Sequence, residues 1–421
     1  MFPFLPSKKI LLIEPPFYRF FNYERWHYPS TLTLVGTYLS KLGHDVGIYD
    51  ADAPSSNCKP LNRSEVRNNY PLYENALKNQ EHPVWREVYE TIKEFQPDIV
   101  GMTSITAKID SANFIAKLVR KLYDNKVKII LGGPHAYGMR MMYPDYNFGA
   151  DYDEIITHIP NLVDQTPNKK LIMNIDRYSP EYLSSILTKA GCPMKCTFCG
   201  RSFDRTFVYR NIPSVREELE EIRIEFGSTS VYIMDDCFFS HTTRFNEISE
   251  ILKEVGLEFR AGSRIMALTQ QKIERFINNG GIRISVGVES GSQQILDRVK
   301  KGLKIKEIIK HTKWLNDLGV PWSAFIIVGF PFETLEELKL TEELIYTIGP
   351  TFASINRFAP YPGTEIYKKY FINAQIRFRD LFQLNQNSCV RLSDEIEDYI
   401  DHMFKVFDEY NRKPQNDWLI R

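Results

Sequence analysis

The chain has 421 residues, 43% of them hydrophobic and 13% aromatic, with Lys plus Arg and Asp plus Glu equal at 53 each. That length exceeds one ordinary hydrophobic core, so two or three domains are expected, and the balanced charge excludes a net field suited to nucleic acid or an anionic membrane. The longest apolar runs, such as "SAFIIVGF" at 323–330, are too short to span a bilayer.

The N-terminal "MFPFLPSKKILLI" places its lysines after its apolar residues, which is not the order of a signal peptide. Six cysteines, three of them bunched, fit a reducing compartment and a metal, and not a disulfide framework. The expectation is a cytoplasmic protein without a transmembrane segment.

In the first third, strand-like and helix-like stretches alternate. "KKILLIEPP" is a short apolar run ended by Pro15 and Pro16, and 30–44 repeats apolar residues at helical spacing. "DVGIYDAD" follows, then a polar, Asn-rich insertion at about 53–83, "DIVGMTSIT", a helix over 111–123 and "VKIILGGPH". Strands nearly continuous in Val and Ile, separated by amphipathic helices, predict a parallel sheet covered on both faces. This α/β pattern gives an open, doubly wound domain over 1–150 with its crevice beyond the carboxyl ends of the strands. The dinucleotide fingerprint Gly-x-Gly-x-x-Gly is absent after the first strand, which argues against a nicotinamide cofactor.

Residues 151–182 read as a linker, after which the alternation restarts. Strands are predicted at 184–190, 230–236, 257–264, 282–290, 322–330 and 351–360, with amphipathic helices between them. Six such units predict a partial (βα)6 barrel of the TIM type over 183–370, its site at the carboxyl ends of the strands. A C-terminal extension, 371–421, is expected near the substrate site.

The loop after the first barrel strand reads "GCPMKCTFCGR", with Cys192, Cys196 and Cys199 spaced Cys-x3-Cys-x2-Cys. Three thiolates on one loop can wrap a cubane 4Fe-4S cluster and leave its fourth iron open. The alternative is a structural zinc site closed by a distant ligand: Cys58, Cys237, Cys389 or a histidine.

"CPMKCTFC", with Phe198 at the aromatic position, resembles the radical S-adenosylmethionine (SAM) motif. The resemblance continues through "MDD" (Asp235 and Asp236), "GVESGSQ" (Glu289 and Ser290), "FIIVGFPFET" (Val328 and Phe330) and "APYPGTEIY". It implies that SAM chelates the unique iron and that Phe198, Asp235, Asp236, Arg264, Glu289, Ser290, Val328 and Phe330 surround it.

The front domain resembles the Rossmann-like cobalamin-binding domain found ahead of such barrels. By that resemblance Pro15, Pro16, Ser104, Ile105, Thr106, Gly132, Gly133, Pro134 and His135 would line the cobalamin site. Domains that ligate cobalt through histidine carry Asp-x-His-x-x-Gly, whereas "GPHAYG" has Gly133 in the aspartate position. His135 is therefore expected to touch cofactor or backbone without ligating cobalt.

Together the two resemblances imply a cobalamin-dependent radical SAM methyltransferase. It would place a methyl group on an unactivated carbon through a 5′-deoxyadenosyl radical and methylcobalamin. Its partners would be a small-molecule, lipid or peptide substrate and a one-electron reductant such as a flavodoxin or ferredoxin. The rival readings are a cobalamin-linked cyclase or oxidoreductase without net methyl transfer, and a radical enzyme whose front domain no longer binds cobalamin.

Overall fold

The computed structural model describes residues 6–24, 27–148, 152–156, 164–200, 208–382 and 390–412. Strands β1 (Lys9–Glu14), β2 (Asp45–Asp50), β3 (Ile99–Thr103), β4 (Lys128–Gly132) and β5 (Glu154–Ile155) form a parallel sheet in the order 2-1-3-4-5. Helices α1 (Ser30–Lys41), α2 (Arg63–Lys78), α3 (Pro83–Phe95), α4 (Ile109–Tyr123) and α5 (Pro134–Met142) alternate with the strands. Both faces are covered: Ile10 and Leu12 enter one apolar layer, and Leu11 and Ile13 the other. Strand order reverses between β1 and β3, so the crevice of this doubly wound sheet opens beyond their carboxyl ends.

The polar stretch at 53–83 contains a full helix. The Asn62 side chain accepts from Glu65 N (3.0 Å), while the Glu65 carboxylate accepts from Asn62 N (2.8 Å), a reciprocal cap. Val66, Tyr70, Tyr73 and Ala76 then fall on one buried face of α2. Pro71 and the asparagines mask that periodicity in the sequence.

The second sheet begins with β6 (Ser185–Ile186). A short antiparallel ribbon of β7 (Lys189–Ala190) and β8 (Val208–Tyr209) follows, and it ties together the base of the cysteine loop. Then come α6 (Ile212–Ile224), β9 (Ser230–Ile233), α7 (Thr242–Val255), β10 (Glu258–Ser263), α8 (Gln270–Asn278), β11 (Gly281–Glu289), α9 (Gln293–Arg298), α10 (Ile305–Asp317), β12 (Trp322–Val328), α11 (Leu335–Ile348) and β13 (Phe352–Arg357). The parallel order is 13-12-11-10-9-6, so each strand lies beside its successor in the sheet and β6 and β13 remain its edges. This is the predicted open barrel of six strand–helix units.

The run expected as one strand at 184–190 is split, because Leu187 and Thr188 leave the sheet between β6 and β7. Past the barrel come α12 (Glu365–Tyr370) and α13 (Asp394–Asn411). Helix α13 buries Ile400, Met403, Phe404 and Phe407 against the barrel, and the Asn411 side chain bonds both Ala353 N and O. The extension expected near the substrate therefore has two described parts: α13 on the outer layer and a strap at 376–382 that returns to the front domain.

Contacts between the two sheets fix their relation. Helices α1 and α2 begin beyond the carboxyl ends of front-domain strands. At the start of α1, Ser30 Oγ lies 3.9 Å from Met234 Sδ, just past β9. At the start of α2, Arg63 donates to Ile355 O (2.8 Å) and Asn356 Oδ1 (2.7 Å) at the end of β13. The two carboxyl edges thus face one another across a shared crevice. A buried ionic group locks the arrangement: Lys169 Nζ lies 3.0 Å from both Glu218 and Glu221, and Arg210 also pairs with Glu218. Among the described residues, no helix is long and apolar enough to cross a membrane.

Candidate active site

The cysteine loop leaves the first barrel strand at the mouth of the barrel, where Asp235 shapes its approach. Its carboxylate accepts from Thr188 N (2.7 Å), Thr188 Oγ1 (2.5 Å) and Lys189 N (3.2 Å), holding the segment that leads into the loop. Burial pushes this carboxyl up to about 6, against the lowering effect of those hydrogen bonds. Asp235, expected to meet SAM, thus also holds the chain at Thr188 and Lys189. Its neighbour Asp236 is exposed at the mouth.

The loop is clamped at its centre. Thr197 N donates to Val299 O (3.0 Å), and Thr197 O accepts from Ile366 N (3.1 Å). Cys196 is buried, whereas Cys192 and Cys199 are half-buried. Burial pushes the Cys196 thiol up and Lys301 and Arg264 pull it down, while Glu289 and Cys192 add to the rise. Three charged side chains, Lys301, Glu289 and Arg264, thus converge electrostatically on the loop.

Glu289 ends β11 with φ of +71°, in the left-handed region, after a register shift between Gly287 and Glu289. A non-glycine residue held there is strained, and such strain concentrates at functional sites. Its carboxylate accepts from Lys301 Nζ at 2.6 Å, with both side chains 9% exposed. A Cβ at Gly287 would meet the tips of both side chains, at 2.7 Å for Lys301 Nζ, so a larger residue there would displace the pair. Burial opposes the charge on Lys301, but Glu289 and Cys196 outweigh it and raise its pKa.

Arg264 donates to Lys301 O (2.9 Å) and to Met194 Sδ (2.6 Å) inside the cysteine motif, while its Nε is buried without a partner. Lys301 was not singled out in the sequence.

Ser290 was also expected at the ligand. Its fully buried hydroxyl lies 3.1 Å from Thr341 Oγ1 on α11 and accepts from Ser292 N, which fixes the turn after β11. Val328 closes β12 fully buried, its carbonyl accepting from Phe358 N (2.8 Å). Phe198 meets Phe330 edge-on at 5.9 Å, and Phe330 lies 5.1 Å from Phe358, giving the loop an apolar wall.

Behind that wall, Glu333 accepts from Gly329 N (2.6 Å) and Phe330 N (3.1 Å) through one oxygen, while the other has no partner. Burial raises its pKa to about 8. A carboxyl raised in the folded state binds its proton more tightly there than in the unfolded chain. Its stabilising contribution is complete below roughly pH 4.3, the unfolded carboxyl value, and is lost as pH rises through about 8. Glu333→Gln mimics the protonated acid and should flatten the decline in stability across that window. Urea midpoints at a series of pH values would measure it, and an unchanged slope would refute the assignment.

At the front-domain edge, Pro15 and Pro16 are buried after β1, and Asp52 Oδ1 holds the next turn by accepting from Phe17 N (2.7 Å) and Arg19 N (3.0 Å). Lys108, itself buried, bridges Glu14 (2.5 Å) and Asp52 (2.9 Å). This triad was also missed; the signal for it was an acid ending β1, Glu14, and another two residues beyond β2, Asp52.

Ser104 donates its hydroxyl to Ile105 O, Ile105 is exposed and Thr106 is buried. Gly133 has φ of +96°, and a Cβ there would lie 2.5 Å from Thr103 Oγ1. His135, after Pro134 in the first turn of α5, is 1% exposed with no hydrogen-bond partner on either ring nitrogen.

The donor sets fit the groups that the sequence implies. Among the described residues, no three His, Cys, Asp or Glu side chains close on a single ion, as zinc would require. A cubane spreads its thiolates over separate irons, so three cysteines on one clamped loop suit it. Cys237 Sγ accepts from Arg264 N (3.4 Å) and Cys58 lies against Ser55; Cys389 falls outside the described residues. A Gly132–Gly133 cradle beside an unsatisfied imidazole suits a corrinoid at the other edge.

Comparison with known proteins agrees. Residues 186–345 match the model of the radical SAM superfamily, and 21–155 match that of the B12 binding domain. The chain is 26% identical over 333 residues to an uncharacterized methyltransferase of Pyrococcus horikoshii, covering 68% of this chain and 72% of that one. It is 22% identical over 446 residues to the cytidylyl-2-hydroxyethylphosphonate methyltransferase of Streptomyces wedmorensis, covering 86% and 81%. The fold superposes on the radical SAM methyltransferase TsrM of Kitasatospora setae with a TM-score of 0.63 at 15% identity, covering 86% of this chain and 74% of that one. With a B12 binding domain placed mouth to mouth with a three-cysteine radical SAM barrel, the chain belongs to the cobalamin-binding radical S-adenosylmethionine enzymes.

Proposed function

We propose that the protein is a cobalamin-dependent radical SAM methyltransferase acting on an unactivated carbon of a substrate held between the two carboxyl edges. The observation that carries this reading is the meeting of those edges, with the cysteine loop on one side and the Gly132–His135 turn on the other. When bound, the cluster supplies the electron that cleaves SAM and the corrinoid supplies a transferable methyl group.

The chain's own residues hold, orient and shield. Cys192, Cys196 and Cys199 would hold three irons, with Lys301 and Arg264 offsetting their negative charge. Asp236, exposed at the mouth, suits the ammonium of the methionine moiety, and the buried, unpartnered Nε of Arg264 suits its carboxylate. Phe198 and Phe330 would keep water from the reacting carbon. Pro15, Pro16, Ser104, Ile105, Thr106, Gly132, Gly133, Pro134 and His135 would receive the corrinoid.

The substrate would be a small molecule, with a lipid or peptide the alternative, and the electron donor a flavodoxin or ferredoxin. The five described cysteines are all free, which suits the reducing cytoplasm. The methyltransferase names of those two relatives favour methyl transfer, while anaerobic magnesium-protoporphyrin IX monomethyl ester cyclases 24% and 26% identical to this chain keep cyclisation as the second reading.

The test is mass spectrometry of candidate substrates incubated anaerobically with the reduced, corrinoid-loaded enzyme and SAM. A gain of one methylene accompanied by 5′-deoxyadenosine is expected. Formation of 5′-deoxyadenosine with substrate consumed but never methylated would replace this reading with cyclisation or oxidoreduction.

A further inference from the structure

Alternation along the barrel strands sends one set of side chains outward under the helices and the other set into the barrel. Phe259 and Ala261 of β10, Ile284 and Val286 of β11, and Ala324 and Ile326 of β12 all belong to the outer core. Arg260, Arg283 and Phe325 therefore face the interior. That interior is open, because Phe325, in the middle of β12, stays 41% exposed. Its register partner Gly287 and the paired Gly262 and Ser285 keep the same face free of bulk.

Low in this space, Arg260 and Arg283 are register partners on adjacent strands, and both are half-buried. The Arg260 guanidinium lies 5.1 Å over the ring of Tyr232, and that of Arg283 lies 5.6 Å over Phe352. Arg283 Nε donates to Ser323 Oγ (3.0 Å), and one of its terminal nitrogens donates to the same oxygen. Both groups are thus fixed in place before any ligand arrives.

Burial, together with repulsion from Arg260, lowers the pKa of Arg283 to about 10. Burial also lowers that of Arg260, against the pull of Tyr232 and Tyr182. Arg283 remains charged at neutral pH, so the fold holds two like charges together in a confined space. An anion between them would offset that repulsion, and planar guanidinium forks suit the oxygens of carboxylate or phosphate. Arg260 precedes Arg264 by four residues, about 13 Å of extended chain, so this pair is well separated from the cysteine loop.

Resting on the reaction proposed above, we infer that Arg260 and Arg283 form an anion site inside the barrel that takes a carboxylate or phosphoryl group of the substrate. The substrate is thereby an acidic small molecule whose charged end reaches down the barrel, remote from the carbon that reacts.

Full-length, cluster-loaded protein and three probes test this: phenyl phosphate, phenylacetate and the neutral 2-phenylethanol. Calorimetric titration at fixed ionic strength reads the binding. At least one anionic probe should bind about tenfold more tightly than 2-phenylethanol, and the tighter of the two names the group as phosphoryl or carboxylate. Arg260→Gln and Arg283→Gln should each cost that probe about tenfold and leave 2-phenylethanol unchanged. Arg275→Gln, on the exposed face of α8, should change nothing. Arg283→Lys keeps the charge without the fork; it should lose part of the preference, and it serves where a glutamine variant fails to fold. Each glutamine removes one of two mutually repelling charges, so urea midpoints should match or exceed wild type. A merely structural pair would lower the midpoint and leave the order of the probes unchanged, which would overturn the site.

An absent anion preference in wild type, or one that survives both glutamine variants, would also overturn it and leave the methyl-transfer reading standing. An acidic substrate that depends on both arginines and is consumed without methylation would overturn that reading and keep the site.

Discussion

Cys196→Ala should abolish the visible absorption of the cluster and the reductive cleavage of SAM together. Cys196 is the central and most buried of the three cysteines, and the backbone beside it is clamped by Val299 O and Ile366 N. Losing one sulfur atom leaves those clamps in place, so the loop should keep its path while losing a ligand. Two thiolates cannot retain a cubane that three barely enclose. Anaerobic reconstitution followed by iron determination, absorbance and chromatography for 5′-deoxyadenosine would read both effects. The unfolding free energy of the apoprotein from urea titration should stay within about 1 kcal/mol of wild type, which separates cluster loss from unfolding. Cleavage persisting without iron, or stoichiometric zinc in wild type, would overturn the assignment.

How much of this was legible in the sequence depends on the kind of signal. Burial writes itself into periodicity, so the strands around Ile10–Ile13 and Trp322–Val328 and the helices between barrel strands could be read directly. The cysteine spacing was equally direct, since all three ligands lie on one loop. Helix α2 was obscured because Pro71 and the asparagines argue against a helix locally, while the Asn62–Glu65 cap and buried tyrosines decide for one.

Asp235 and Ser290 stand at the strand ends where the sequence placed them, and each also has a partner in the chain that the sequence did not show. A motif records where a side chain is, but only tertiary closure brought Thr188 to Asp235 and Thr341 to Ser290. Lys301 was invisible for the same reason. Its positive charge looks solvated until the turn after α9 folds it under β11 against Glu289. The strap is the extreme case, because nothing in "IRFRDLF" indicates a partner as remote in the chain as His135.

The Glu289–Lys301 pair gives the second large effect. Lys301→Met should destabilise the fold by roughly 3–5 kcal/mol, because it strands a buried carboxylate on a strained backbone. Lys301 Nζ is the side-chain partner of that carboxylate, 2.6 Å away. The penalty comes from the orphaned charge and not from lost attraction, since a well-placed buried pair roughly balances its own desolvation. Removing the charge as well should therefore help: Lys301→Met with Glu289→Gln is expected to recover most of the loss. The two substitutions lie in direct contact, so their effects should be strongly non-additive. Urea unfolding of wild type, both single variants and the double variant would close the cycle, with an unchanged m-value as the check on two-state behaviour. If the double variant were as unstable as the sum of the singles, the charge argument would fail. Lys301 would then matter for its packing beside Cys196, and the same four proteins would show that as a loss of cluster occupancy in both variants carrying methionine.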